Sequence, residues 1–150
     1  MKKTTFRLQL CVVLLVMNLV FIWGNSLLPR EVSASFSQWV KALLFSAADI
    51  TVTDPDVGHG LLRKIAHFTE FASLGFLLTW LCSMVKKPTL LAFLCGFAAA
   101  CTDEIIQCFV PNRGPGILDV LIDTAGVCAG TAILCLCLFI SKRNRKENTQ

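Results

Sequence analysis

The sequence predicts an all-α membrane protein of four transmembrane helices with an additional outer-leaflet amphipathic helix, and three observations predict it. Of its 150 residues, 55% are hydrophobic. These fall in four long runs instead of short amphipathic periods, and the basic residues cluster at the ends of the runs. The length leaves room for one domain.

The runs are residues 8–28, 61–85, 89–109 and 117–140, each long enough to cross ~30 Å of hydrocarbon at ~1.5 Å per residue. The first is interrupted by Asn18, Gly24 and Asn25. Its basic start and the later Val32-Ser33-Ala34 imitate a secretory signal with a cleavage site. The apolar run exceeds a typical signal core, and Pro29, Arg30 and Glu31 separate it from that site, so an uncleaved span is expected.

Beyond Pro29, the residues Val32, Phe36, Trp39, Val40, Leu43 and Leu44 recur at helical spacing, with Ser33, Ser37, Gln38 and Lys41 opposite. This pattern predicts an amphipathic helix over about 31–47 lying on the membrane surface. Asp54-Pro55-Asp56 and Gly58-His59-Gly60 mark the following stretch as a loop. Lys86-Lys87-Pro88 and Asn112-Arg113-Gly114-Pro115-Gly116 are short connections that force antiparallel hairpins.

The net charge of +4 suggests a nucleic-acid partner until its residues are placed. Lys2, Lys3 and Arg7 precede the first run, Lys86 and Lys87 lie between the second and third, and Lys142, Arg143, Arg145 and Lys146 follow the fourth. By the positive-inside rule, all three clusters and both termini are cytoplasmic. Every acidic residue except Glu147 then falls outside or in the outer half. The eight cysteines all lie within the apolar runs, without zinc-ribbon spacing or histidine partners, and are expected to be buried thiols, not disulfides.

Ionisable groups recur at one depth of these runs. His67 lies six residues inside Leu61, Asp103 six inside Phe109, and Asp123 six inside Ile117. Six residues are ~9 Å of helix rise, so the three are expected to be level. Each charge costs ~2.5–3.5 kcal/mol in hydrocarbon, which directs the group toward one another or a wet cavity.

Arg63, His67 and Glu70 share a helix face, with Lys64 beside it. Glu104 and Gln107 accompany Asp103, and Asp119 lies one turn from Asp123. Gly126 and Gly130 continue the Asp119–Asp123 stripe as a small-xxx-small pair expected to face a neighbouring helix, with Val127 turned to lipid.

Chemically, a histidine among carboxylates serves as general base or nucleophile. The Arg113 fork suits a phosphate or carboxylate. The same carboxylates and histidine also suit a divalent cation held against a phosphate. The opposing possibility is a set of ion pairs that only fix helix register, Arg63 or Lys64 with Glu70 and Arg113 with Asp103 or Asp119. A proton or ion path fits less well, because the cytoplasmic halves of the runs hold few polar residues. His59, between glycines, reads as an exposed turn residue.

The stretches "RKIAHFTEFASLGFLL" (Arg63 to Leu78), "DEIIQCFVPNRGPGILDVLIDTAGVCAG" (Asp103 to Gly130) and "FIWGNSLLP" (Phe21 to Pro29) resemble the VanZ-like family of small bacterial membrane proteins. The family pattern matches at Lys64, His67 and Phe71, at Asp103, Glu104, Gln107 and Phe109, and at Arg113, Asp119, Gly126 and Gly130. Where that family usually has asparagine in the last segment, this chain has Asp123. The resemblance implies the cell envelope of the bacterial plasma membrane and a link to resistance against the glycopeptide teicoplanin.

The reading carried forward assigns catalytic roles to His67, Asp103, Glu104 and Asp119. It assigns substrate binding to Lys64, Glu70, Gln107, Arg113 and Asp123. The expected partner is a membrane lipid or a lipid-linked cell-wall precursor whose phosphate or glycan head group is bound, with processing left open. The alternative is a non-enzymatic envelope protein whose polar cluster is structural and which binds an envelope partner or an antibiotic.

Overall fold

The computed structural model describes residues 2–28, 59–111 and 116–147. Among them every regular element is a helix: α1 (Lys2–Leu27), α2 (His59–Met84), α3 (Thr89–Cys108) and α4 (Ile117–Glu147). All four are long and apolar enough to span a membrane, and the chain is a multi-pass membrane protein. The predicted runs begin and end within two residues of α2 and α3, while α1 begins six residues earlier, in the basic start, and α4 continues beyond residue 140 into the basic tail. The expected surface helix over 31–47, the loop before α2 and residues 112–115 lie outside the described residues.

A membrane accounts for a surface that water would not tolerate. Phe6, Val13, Leu90, Leu136 and Phe139 are among many large apolar side chains left exposed around the bundle. Five cysteines, Cys95, Cys108, Cys128, Cys135 and Cys137, lie on this exposed surface and Cys101 is half-buried, so only Cys11 and Cys82 match the expectation of burial. The outward thiols are small apolar groups for which lipid is as good a solvent as a protein core.

The α2–α3 hairpin is made by its sequence. Lys86 takes a left-handed conformation (φ 56°), which lets the Lys87 amide donate to the Cys82 carbonyl at 2.9 Å and close the helix end. Pro88 then cannot extend the helix, and α3 begins at Thr89.

α2 is the central helix, touching the other three, and its most extensive contact is with α4. The two run parallel, pressed together on small residues. A Cβ added at Gly130 would overlap the Ala72 carbonyl, one at Gly126 the Phe68 carbonyl, and one at Gly75 the Val127 carbonyl. The Thr79 hydroxyl donates to that of Thr131 at 3.1 Å further along.

The structure corrects the expected lipid-facing position of Val127, which is fully buried. α4 is covered on two faces, by α2 over its glycine stripe and by α3 over the adjoining stripe. Val127 therefore fits the notch left by Gly96 of α3. The core is completed by Ile22, Phe71, Leu74, Ala99 and Ala100. On α3 the buried face changes along its length, from Ala92, Gly96, Ala99 and Ala100 to Asp103, Glu104 and Gln107.

Candidate functional site

These packing contacts bring the polar residues together at one end of the bundle, where α1 and α3 finish and α2 and α4 begin. His67 Nδ1 lies 3.9 Å from Asp103 Oδ2 and 3.8 Å from Asp123 Oδ1. One ligand-capable atom from each of the three falls within 4.8 Å of the others. Asp103 and Asp123 are fully shielded, with side chains 0% and 1% exposed, whereas His67 retains 16%. The expectation that a histidine and two carboxylates from three helices converge on one point describes this geometry.

Around this centre the other residues hold the helix ends in place. The Gln107 amide donates to Asp103 Oδ2 at 2.7 Å and approaches the Ser26 hydroxyl at 3.4 Å. Glu104, also buried, accepts the Gly116 backbone N–H at 2.8 Å and so ties the end of α3 to the start of α4. Asp123 lies within electrostatic reach of Asp103, Glu104, Asp119 and Glu70, so five carboxylates share one end of the molecule.

The ion pairs differ from those the sequence suggests. Arg63 pairs with Asp119 of α4 at 3.8 Å rather than with Glu70, and both side chains remain about a quarter exposed at the rim. Glu70 instead accepts the Asn25 amide at 3.0 Å. Helical geometry explains the exchange: α2 lies between α1 and α4, and Arg63 and Glu70 are turned to different neighbours. Lys64 is exposed beside the rim and makes no part of the buried centre. Arg113 lies outside the described residues.

Asn25 and Ser26 are the site residues that sequence reasoning missed. Their signal was the spacing of Asn18 and Asn25, two whole turns apart on one face of an otherwise apolar span. Asn18 donates to the Ser73 hydroxyl at 2.6 Å, so both asparagines bind α1 to α2. Replacing Asn25 with leucine would leave both Glu70 oxygens without a donor among the described residues. The expected cost is ~1–3 kcal/mol, read as a fall in melting temperature in detergent. Asn18→Leu, whose partner Ser73 is exposed, should shift it less, and equal shifts would mean that apolar contact alone holds α1.

Below the cluster an open apolar groove of about 720 Å³ runs between α1 and α4 over α2. Leu14, Met17, Phe21, Phe76, Leu77 and Ile133 form most of its wall, and it reaches Thr69 beside Glu70.

The arrangement thus has a shielded His–Asp–Asp centre, a half-exposed Arg63–Asp119 rim and an apolar groove beneath. Two helix N-termini, those of α2 and α4, open at the same end, and their partial positive charge favours anions there. No curated protein and no solved structure is found to match the chain. The family model described as VanZ/LLP1 matches residues 7–139. Because that stretch runs through all four helices and takes in every side chain of the buried cluster, the chain belongs to the VanZ-like family.

Proposed function

We propose that this end of the bundle is an outer-leaflet pocket that binds the phosphate or glycan head group of a lipid-linked envelope molecule. The observation that supports the reading is depth. His67, Asp103 and Asp123 stand four to six residues inside the ends of the candidate spans, ~6–9 Å of helix rise, which a lipid head group at that end could reach. Arg63 and Lys64 at the rim, with the two helix N-termini, supply the attraction for an anion. A bound lipid would lay an acyl chain in the apolar groove.

In this reading His67, between two aspartates, is the group that moves a proton at the bound head group. Asp119 positions Arg63, and Glu104 and Gln107 fix the helix ends around the centre. Arg113, outside the described residues, keeps the anion-binding role that the sequence suggests for it. The family resemblance directs the choice of molecule to the bacterial envelope and makes teicoplanin susceptibility the phenotype to follow.

Purified protein offered an envelope lipid extract should retain a phosphate- or glycan-bearing lipid, identified by mass spectrometry of the complex. A second measurement on the same mixture reads head-group turnover. Retention of bulk phospholipid in proportion to its abundance would refute selective binding.

The leaflet follows from the basic clusters and is tested separately. In intact cells Asn112→Cys should react with an impermeant thiol reagent above the wild-type background. Labelling only after lysis would place the pocket on the cytoplasmic side.

A further inference from the structure

We propose that His67, Asp103 and Asp123 bind one divalent transition-metal cation of the Mn²⁺ or Zn²⁺ class. The separations of 3.8 and 3.9 Å from His67 Nδ1 to the two carboxylates exceed hydrogen-bond length. They are the spacing of groups around a common centre, since ligands ~2.0–2.2 Å from a metal stand about 3–4 Å from one another.

The second observation is independent of spacing. Neither oxygen of Asp123 and only one oxygen of Asp103 has a hydrogen-bond donor among the described residues, although both side chains are buried. Carboxylates removed from water and left without donors require a positive charge to remain ionised. Two aspartates with a neutral imidazole carry two negative charges, which one divalent cation cancels.

The donor set selects within the divalent ions. One imidazole nitrogen with two carboxylates disfavours Ca²⁺ and Mg²⁺, which prefer all-oxygen shells, and suits Mn²⁺ or Zn²⁺. The outer contacts suit a metal as well: Gln107, one turn along the same helix, donates to Asp103 and reaches Ser26 of α1, so the orientation of one ligand is fixed by an outer hydrogen bond. Three protein ligands leave coordination positions for water or for an oxygen donor from a bound molecule. The site does not depend on the head-group reading, because the cation's ligands are all in this chain; with His67 Nδ1 on the cation, a cation-bound water would take over the proton transfer assigned to the free imidazole.

The test uses the full chain in detergent, stripped with a chelator and titrated with Mn²⁺ without added lipid, following loss of the free-ion signal by electron paramagnetic resonance. One Mn²⁺ per chain is expected, displaced by Zn²⁺, with nitrogen modulation from the imidazole in the pulsed spectrum. Asp103→Asn and Asp123→Asn should each weaken binding by about tenfold or more, while Glu147→Gln, an exposed carboxylate on the tail of α4, leaves it unchanged. Absence of binding, or undiminished binding in either folded asparagine variant, overturns the proposal. If neither variant folds, the wild-type nitrogen modulation decides: its presence supports the site and its absence rejects it. Because lipid is absent throughout, failure here leaves the head-group reading to its own measurement.

Discussion

Gly130→Leu is expected to abolish recovery of folded protein from the membrane. The first added carbon alone would overlap the Ala72 carbonyl and stand 2.8 Å from the Phe76 amide nitrogen. Both obstacles are backbone of α2, so no rotamer change relieves them and the helices must separate. Overpacking typically costs ~1–3 kcal/mol. Leucine should exceed that, because separating α2 from α4 also opens the contacts at Gly75 and Gly126. Gly130→Ala should give a folded but less stable protein, with a clear fall in melting temperature. Gly24 is the internal control: nothing lies within 4 Å of a Cβ placed there. Gly24→Ala should be neutral or gain up to ~1 kcal/mol from helix propensity. A Gly130→Ala protein that melts with the wild type would mean that α2 and α4 do not approach this closely.

The second large effect separates function from architecture at the cluster. His67→Gln keeps a side chain of similar reach, and Glu104→Gln keeps an oxygen that accepts the Gly116 amide. Both proteins should fold to near wild-type abundance, and His67→Gln should lose selective head-group retention. Where turnover is measurable, His67→Gln should lower it by ~10²–10⁴, the usual contribution of a positioned proton-transfer group. If the polar residues only fix helix register, removing one partner should instead cost ~3–5 kcal/mol and appear first as degradation. Abundance, melting temperature and teicoplanin susceptibility measured together distinguish these outcomes. A stable, fully active His67→Gln would reject the proton-transfer role.

Much of this architecture was legible because a membrane span leaves a coarse signal. Long, mostly apolar runs mark α1 to α4, and charge inside such a run stands out. The convergence of His67, Asp103 and Asp123 followed from their equal depths, since depth is a one-dimensional quantity that residue counting measures.

Rotation about the helix axis is harder to count. A single stripe accounts for Gly126 and Gly130 and turns Val127 to lipid, whereas α4 has two covered faces. Arg63 was matched with Glu70 by spacing within one helix, although their partners come from opposite sides, Asp119 of α4 and Asn25 of α1. Asn25 and Ser26 read as blemishes in a span because an uncharged amide or hydroxyl carries little signal until its acceptor on another helix is known.

The pairing of α2 with α4 bears on how the chain is made. A membrane protein enters the bilayer in chain order, so α2 and α3 arrive as a hairpin while the closest partner of α2 is still being synthesised. Until then Glu104 lacks the Gly116 amide that it accepts, both Asp103 and Glu104 lack the packing that α4 brings, and each exposed charge costs ~2.5–3.5 kcal/mol in hydrocarbon. The last helix to emerge from the ribosome is therefore the one that closes the polar end. A chain stopped before Ile117 would carry unshielded carboxylates at that end, and the polar site would have no closed form until α4 is in place.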